Sequence, residues 1–546
     1  PYNPYGSRFY STSGAPNSDG TPRLTGTPQS INLLTQVIQG LPPDTGIIHS
    51  GTYRIVGGLR GKIFDTWTWE TAGLWTRAYT GDRAANYVRT SLLYNALLRT
   101  DNTAYNPFGY TFKVVGGAVV PDQPYTNPKS VIDTFTDIYG RNGVSTIGSW
   151  DAHIEGRVAT LWSGDIRLVI GGEFRKESFD ATFLPYVGLN PPNPNFPASG
   201  LDPSLNDFMV LGSRVPFAGS RTILSEFAEA MIPLAAPKNE FRLMNSLEIT
   251  ASARHESYSD VGSSTKPKVG LNWKPFPNMM VRGSVNEGFT APNLTTLHYG
   301  TQWTANAPPG IVDPYRNPVT NEGAYITRNY TVGNPNLRNI NSKGHTVGMV
   351  LDVPKIKGLS LTADYWVLKQ DGVISALSST QITTSDRTQL NAYTQSQLAK
   401  GVSISQINAG SGTSSYQGDP SVVRVAPSAQ DIATFTAFNA TRPASQQQAV
   451  VGKIFATYTV PFNLATAYAS GVDFGMNYNV PPLPIGRISI SSDWAYLRKS
   501  YTIRAIPNAA PLFVERVAVD GTTRWRGTAT VTLRKGNWSA GLSGYY

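Results

Sequence analysis

The side chains able to do covalent or metal chemistry are few and scattered. The five histidines, His49, His153, His255, His298 and His345, show no paired metal-ligand spacing, and no His-Glu-x-x-His occurs. Cysteine is absent, which removes thiol nucleophiles, zinc ribbons and disulfide scaffolds. There is neither a Walker loop nor a Gly-x-Ser-x-Gly elbow. No enzyme, cofactor or metal site is therefore expected. What remains is the chemistry of recognition. Segment 298–330 gathers His298, Tyr299, Trp303, Tyr315, Arg316, Tyr325, Arg328 and Tyr330. Aromatic faces flanked by guanidinium groups suit a planar or anionic ligand, a metal chelate or a sugar equally well. The same residues would serve as readily to pack loops against each other. The candidate substrate-binding set is Tyr299, Trp303, Tyr315, Arg316, Tyr325 and Arg328.

These residues need a scaffold, and composition restricts it. Of 546 residues, 15% are charged and 11% aromatic, with 51 Gly and 39 Pro. That is too aromatic and too weakly charged for a disordered chain, and it lacks the Ala/Glu/Lys/Leu bias of a helical bundle. No stretch approaches the roughly 18 consecutive apolar residues of a membrane helix. Net charge is +10, yet no window clusters Lys and Arg as phosphate-backbone binding requires, so nucleic acid is not an expected partner.

The strongest signal is alternation with period two. Across 150–162 the even positions read Trp150, Ala152, Ile154, Gly156, Val158, Thr160 and Trp162, while Asp151, His153, Glu155 and Arg157 are odd. After Ser163-Gly164, Ile166, Leu168, Ile170 and Phe174 oppose Arg167, Glu173, Arg175 and Glu177. The pattern recurs at 246–256 and 524–534. Period two puts each set on one face of a sheet. Strands are expected near 51–64, 67–79, 148–162, 165–177, 222–234, 245–257, 264–274, 280–289, 342–353, 359–369, 470–480, 486–499, 523–534 and 538–546.

The gaps between these strands alternate tight turns with long segments, notably 80–147, 178–221 and 370–469. Soluble sandwiches scatter loop lengths over both ends, whereas transmembrane β-barrels keep short periplasmic turns on one rim and long extracellular loops on the other. The fold class expected is therefore all-β, an antiparallel transmembrane β-barrel. Trp67, Trp69, Trp162, Trp273 and Trp538 beside the short turns, with Trp150, Trp366, Trp494 and Trp525 on other strands, suit aromatic belts. Glu155, Arg157, Arg167, Glu173, Arg175 and Arg254 are expected to face the lumen and pair there. A short helix is expected around 86–98. Segment 370–469, rich in Ser, Thr, Gln, Asn and Ala, reads as solvated loop with a few helical turns.

Several segments, in order, resemble the barrel of TonB-dependent outer-membrane receptors. They are Tyr258 to Pro275, Val281 to Leu294 with Gly288-Phe289-Thr290-Ala291-Pro292, Gly333-Asn334-Pro335-Asn336-Leu337, Gly358 to Trp366, and Gly471-Val472-Asp473-Phe474. Thr290 stands where the family usually has Arg, and Asn339-Ile340 where it usually has Pro-Glu. The resemblance implies a 22-stranded barrel closed by an N-terminal plug and energised by the TonB coupling protein. Residues 1–546 then read as a barrel fragment with fourteen strands, the plug and final strands lying outside the given residues; a closed 14-strand barrel is the competing reading. It further implies active import of a bulky, scarce nutrient (a siderophore-metal chelate, cobalamin, an oligosaccharide or similar) across the outer membrane. The partners implied are TonB, outer-membrane lipid and a small or oligomeric nutrient. A passive porin, or a structural outer-membrane protein, is the alternative.

Overall fold

The computed structural model describes residues 2–31, 38–187, 206–209, 214–305, 310–506, 509–519 and 521–546. The Pro- and Asn-rich run 189–195 lies outside them. One 15-stranded sheet dominates, and its main path follows chain order without a crossover. The strands on that path are β1 (Thr45–Ile63), β2 (Trp67–Val88), β3 (Thr136–Thr160), β4 (Asp165–Phe183), β5 (Phe217–Ala235), β6 (Ser246–Tyr258) and β7 (Gly262–Phe276). They continue as β8 (Met279–Thr290), β9 (Ile340–Asp352), β10 (Leu359–Ala376), β11 (Pro461–Asn479), β12 (Arg487–Ile506), β13 (Trp525–Lys535) and β14 (Trp538–Tyr545). Segment Ala509–Glu515 folds back on the upper part of β12. Every pairing on the path is antiparallel, and β1 and β14 pair with no further strand among the described residues.

Each expected strand is present, but most run further toward the long-loop rim than the alternation suggests. β3 begins at Thr136 rather than near 148, and Gly140-Arg141-Asn142-Gly143 pairs with β2 although neither face there is apolar. Only the stretch that meets lipid must alternate; hydrogen bonding continues above it. One link breaks the alternation of lengths, since β6 and β7 meet through Ser259-Asp260-Val261 on the long-loop rim.

The register sorts the side chains as expected. Trp150 opposes Phe174, Ile154 opposes Ile170, and Gly156 opposes Leu168, while Asp151 opposes Glu173. Ion pairs line the polar inner face. Arg175 meets Glu177 at 3.0 Å, Arg221 meets Glu177 at 2.9 Å, and Arg254 reaches Glu173 at 3.5 Å. Glu155 and Arg157 pair with Arg167 and Asp165 at 3.8 and 3.6 Å. Arg282 grips Asp364 at 2.8 and 2.6 Å across β9. That reach depends on Gly348, which lies opposite both residues and where a methyl group would collide with the Asp364 carboxylate.

On the outer face tryptophans sit at both edges of the apolar band. The indole N–H of Trp162 donates to the Leu234 carbonyl at 3.0 Å, and that of Trp273 to Leu243 at 2.8 Å, both at the short-turn rim. Trp538 is 84% exposed there. Trp366 departs from the belt expectation: it shares its face with Asp364 and covers Gly471, so it belongs to the inner surface.

Ile170, opposite Ile154 and Ala228 and midway along the apolar run Ile166 to Phe174 of β4, separates the two faces experimentally. Ile170→Arg should cost roughly 2–4 kcal/mol at mid-bilayer. Ser252→Arg, on the inner face opposite Lys268 and Glu229, should cost far less. Folded yield and urea midpoints in detergent micelles check this; equal losses would contradict the faces.

Candidate functional site

The long segments 291–339 and 377–460 do not remain separate loops. They share a four-stranded sheet in the order Gln302–Ala305, Arg328–Thr331, Ile454–Thr459, Val422–Arg424. Its central pairing, Arg328–Thr331 with Ile454–Thr459, is parallel and joins the two segments, with Tyr330 stacked on Tyr458 at 4.9 Å. We call this unit the cap.

Two helices complete it: α1 (Ser379–Ala399) and α2 (Ala429–Ala440). Ser378 and Ser428 cap them, each hydroxyl accepting the N–H of Gln381 or Asp431, whose side chains return to the cap residue. These capping boxes satisfy amides that the first turn leaves free. The solvated-loop expectation for 370–469 is therefore corrected. Its lower ends belong to β10 and β11, and the remainder packs a core of Leu390, Ile407, Phe435, Ala449 and Val451 with Tyr315.

Arg424 holds the two segments together. Its guanidinium is fully buried, donates to both oxygens of Asp313 at 2.6 and 3.0 Å, and donates to Asp386 at 2.8 Å. The Gly452 carbonyl accepts a further bond at 2.9 Å. Asp386 also accepts the Tyr416 hydroxyl at 2.6 Å and the Asp419 N–H at 2.9 Å. Burial lowers the Arg424 pKa, but the hydrogen bonds to Asp313 and the fields of both carboxylates outweigh it, so the side chain stays charged. One cation between two acids leaves an excess negative charge, and burial pushes the Asp386 carboxyl up despite Arg424. Burial likewise raises the Tyr416 phenol, which remains a donor.

Two of the expected site residues lie inside this core. Tyr315 is 0% exposed and donates to the Ala449 carbonyl at 3.0 Å; Arg316 is 1% exposed. Arg316 donates to the Val451 carbonyl and to Asp431, both at 2.7 Å, and to Glu322 at 3.1 Å. Both are named above as candidates for substrate contact; they are interior groups of the cap, buried because residues 422–456 fold over them. Tyr325 is half-buried, and its hydroxyl accepts the Ile454 N–H at 3.0 Å. Tyr299 and Arg328 keep partial exposure, with Tyr299 against Phe217 at 5.0 Å and Arg328 over the Phe455 ring at 4.8 Å. The backbone of Trp303 pairs with Tyr330, which puts it on the same sheet; its side chain lies outside the described residues.

Sequence reasoning missed Asp313, Asp386, Tyr416 and Arg424. Arg424 is 111 residues from Asp313 and 38 from Asp386, and no local spacing marks them. A second cluster gathers segment 89–135 with Asp207. Buried Arg89 donates to Asp207 at 2.9 Å and lies over the Tyr186 ring at 3.3 Å. Asp207 also accepts the Ser91 N–H at the start of the Thr90–Leu98 helix, at 2.8 Å. No group of three or more His, Cys, Asp or Glu residues is arranged to hold a metal among the described residues.

The sequence matches the family model described as "TonB dependent receptor-like, beta-barrel" over residues 3–546. No curated protein matches it. Among solved structures it is similar to the siderophore receptor PirA from Pseudomonas aeruginosa, with 11% identity and a TM-score of 0.39 over 91% of this chain and 63% of that one. It is also similar to the ferric enterobactin receptor PfeA in complex with BCV-L6, at 13% identity and a TM-score of 0.41, covering 93% and 66%. The RagAB peptide transporter gives 9% identity and a TM-score of 0.45, covering 92% and 47%. The chain thus spans 63% of the PirA chain's length.

Arg424→Met should strand Asp313 and Asp386 in the interior, and breaking a buried pair in this way costs roughly 3–5 kcal/mol. Limited proteolysis should then cut within 377–460 while the β-ladder survives in detergent. Adding Asp313→Asn and Asp386→Asn should restore part of the resistance, because the uncompensated charges go. Unchanged resistance in Arg424→Met would show that the ion network does not hold the cap.

Proposed function

The chain belongs to the TonB-dependent receptor β-barrel family, and from that premise we propose that it is the barrel of an active importer in the outer membrane. The observation that carries this reading is the unequal pair of rims. Short turns close one rim, and on the other two long segments fold into a cap with its own core. A diffusion pore has no need of such a cap; a receptor that must capture a dilute solute does, because binding sites sit on loops held by a rigid scaffold. The cargo class supported is a bulky, scarce nutrient. TonB and the proton-motive force supply the energy in this reading.

Within the cap, Tyr299, Trp303 and Arg328 are the proposed cargo contacts, since Tyr299 and Arg328 retain exposed surface and Trp303 shares the strand pair. Tyr315, Arg316 and Tyr325 hold the cap together. The inner ion pairs shape a polar, hydrated lumen and are not assigned to cargo.

Uptake of labelled ferric siderophores, cobalamin and oligosaccharides, measured in cells with and without TonB, tests the proposal. One class should accumulate, and accumulation should stop without TonB or after uncoupling. Persistent uptake without TonB would remove the active-transport reading and leave a passive pore. Replacing Tyr299 and Arg328 with Ala should weaken cargo binding roughly thirtyfold, at about 1 kcal/mol for each aromatic or cation–π contact.

A further inference from the structure

The outer face of β12 carries a mainly apolar column of Ile488, Ile490, Ser492, Trp494 and Tyr496, opposite Leu533, Val531, Ala529, Gly527 and Trp525 on β13, with the Ser492 hydroxyl accepting the Trp494 indole N–H at 2.9 Å. The column ends in two cations. At this point the β11–β12 register shifts, with Gly471 opposite Leu497 but Ser470 opposite Lys499. An extra residue on one strand turns the chain so that consecutive side chains share a face. Arg498 is that residue, and both Arg498 and Lys499 are exposed on the outer side. A regular strand would have sent Lys499 inward.

The height of this bulge matters. From Ile488 to Arg498 the strand advances about 33 Å at roughly 3.3 Å per residue, or about 23 Å along the membrane normal at a tilt near 45°. That is close to the roughly 25 Å apolar band of such barrels. Below the bulge runs a cross-strand row of Tyr365, Val472, Tyr496 and Trp525. Tyr496 and Trp525 pack at 4.7 Å, with Phe474 against Trp525 at 6.5 Å. Aromatic rows of this kind mark the headgroup boundary.

Arg524 lies in the bend just before β13, where its carbonyl accepts the Leu497 N–H at 2.8 Å; the alternation alone would put its side chain on the face of Arg526, but its guanidinium turns to the outer-face Tyr496. Arg498 donates to the Tyr365 hydroxyl at 3.3 Å and Arg524 to the Tyr496 hydroxyl at 3.5 Å, so the phenols hold both guanidinium groups over the aromatic row. No carboxylate lies within 4.0 Å of Arg498, Lys499 or Arg524 among the described residues. Neighbouring outer-face lysines differ: Lys343 is neutralised by Glu287 at 3.1 Å, and Lys369 by Asp371 at 3.0 Å.

We propose that Arg498, Lys499 and Arg524 form a binding site for the phosphorylated headgroup of an outer-leaflet lipid. Guanidinium forks match phosphate oxygens bidentately, and an ammonium adds a mobile point charge. The occupant is a lipid rather than free phosphate because the apolar column continues directly below the cations, where acyl chains would lie. The inference rests on the outer-membrane reading given above.

The test uses the full-length protein in neutral maltoside detergent. It is titrated with doubly phosphorylated lipid A and with the same lipid after dephosphorylation, and bound lipid is read by native mass spectrometry. The phosphorylated form should bind roughly 10–100-fold more tightly. Arg498→Ala, Lys499→Ala and Arg524→Ala combined should abolish that preference, whereas Arg526→Ala should keep it, because Arg526 lies on the inner face. Heat-modifiable gel mobility confirms folding, and Arg498→Gln and Lys499→Gln, tested singly, serve if the triple variant does not fold. Equal binding of both lipids, or a preference surviving in the triple variant, would overturn the site. Inorganic phosphate binding as tightly as the lipid would overturn the lipid assignment. Cell fractionation is read separately: recovery outside the outer membrane would refute the importer reading whatever the detergent titration gives.

Discussion

A peptide group inside hydrocarbon has no water to bind, so each amide and carbonyl that crosses must find its partner on the next strand. The architecture follows from that requirement. Neighbours in sequence become neighbours in the sheet, every pairing on the main path is antiparallel, and the chain returns to alternate rims. The same requirement governs where the ladder is allowed to falter. Register shifts fall at Ala84/Tyr87, Arg157/Ala159, Leu247/Glu248, Trp273/Phe276 and Asp371/Val373, all near strand ends. An unpaired backbone group is cheap there because water or headgroups can satisfy it. The bulge at Arg498 obeys the rule from the other direction, since it sits where β12 leaves the apolar band.

This explains which parts of the fold were legible in the residues. Lipid demands apolar side chains at every second position, so the strands announced themselves between Trp150 and Trp162, and again around Leu247 and Val531. Their upper ends were invisible because Gly140 to Gly143, and similar runs, carry no apolar alternation and are held by backbone pairing and polar side chains, Arg141 meeting Asp82 at 3.1 Å and Asn142 accepting from Arg83 at 2.8 Å. Trp366 misled for a related reason. An isolated tryptophan looks the same on either face, and only the register opposite Gly471 places it inside.

The cap was not legible, and its chemistry says why. A cap helix such as α1 carries little hydrophobic periodicity; its buried positions include Thr383, Ser385, Asp386 and Thr394 beside Ile382 and Leu390. A core built from hydroxyls and carboxylates reads in sequence as solvated loop. What makes it a core is satisfaction of each polar group by a distant partner. Arg424 meets Asp313 and Asp386 together, and its planar donor geometry admits few alternative arrangements. Such a network confers less net stability than apolar packing would. It does give direction: hydrogen bonds fix how the two segments register, which an oily interface would leave looser.

The join between cap and barrel uses the same chemistry. Asn463, near the start of β11, accepts the Arg338 N–H at 2.9 Å and donates to the carbonyls of Arg338 and Gly372 at 2.9 and 2.7 Å. Asn334 donates to the Pro461 carbonyl at 2.8 Å. One side chain thus ties the approach to β9, the upper part of β10 and the first residues of β11 at the point where the sheet ends. Backbone groups that would otherwise be left unpaired at the rim are satisfied by amide side chains, and the cap inherits the rigidity of the ladder beneath it. The constraint that organises the strands within the membrane is therefore met above it by side chains, and the half-buried Tyr299 and Arg328 are held on a surface fixed from below.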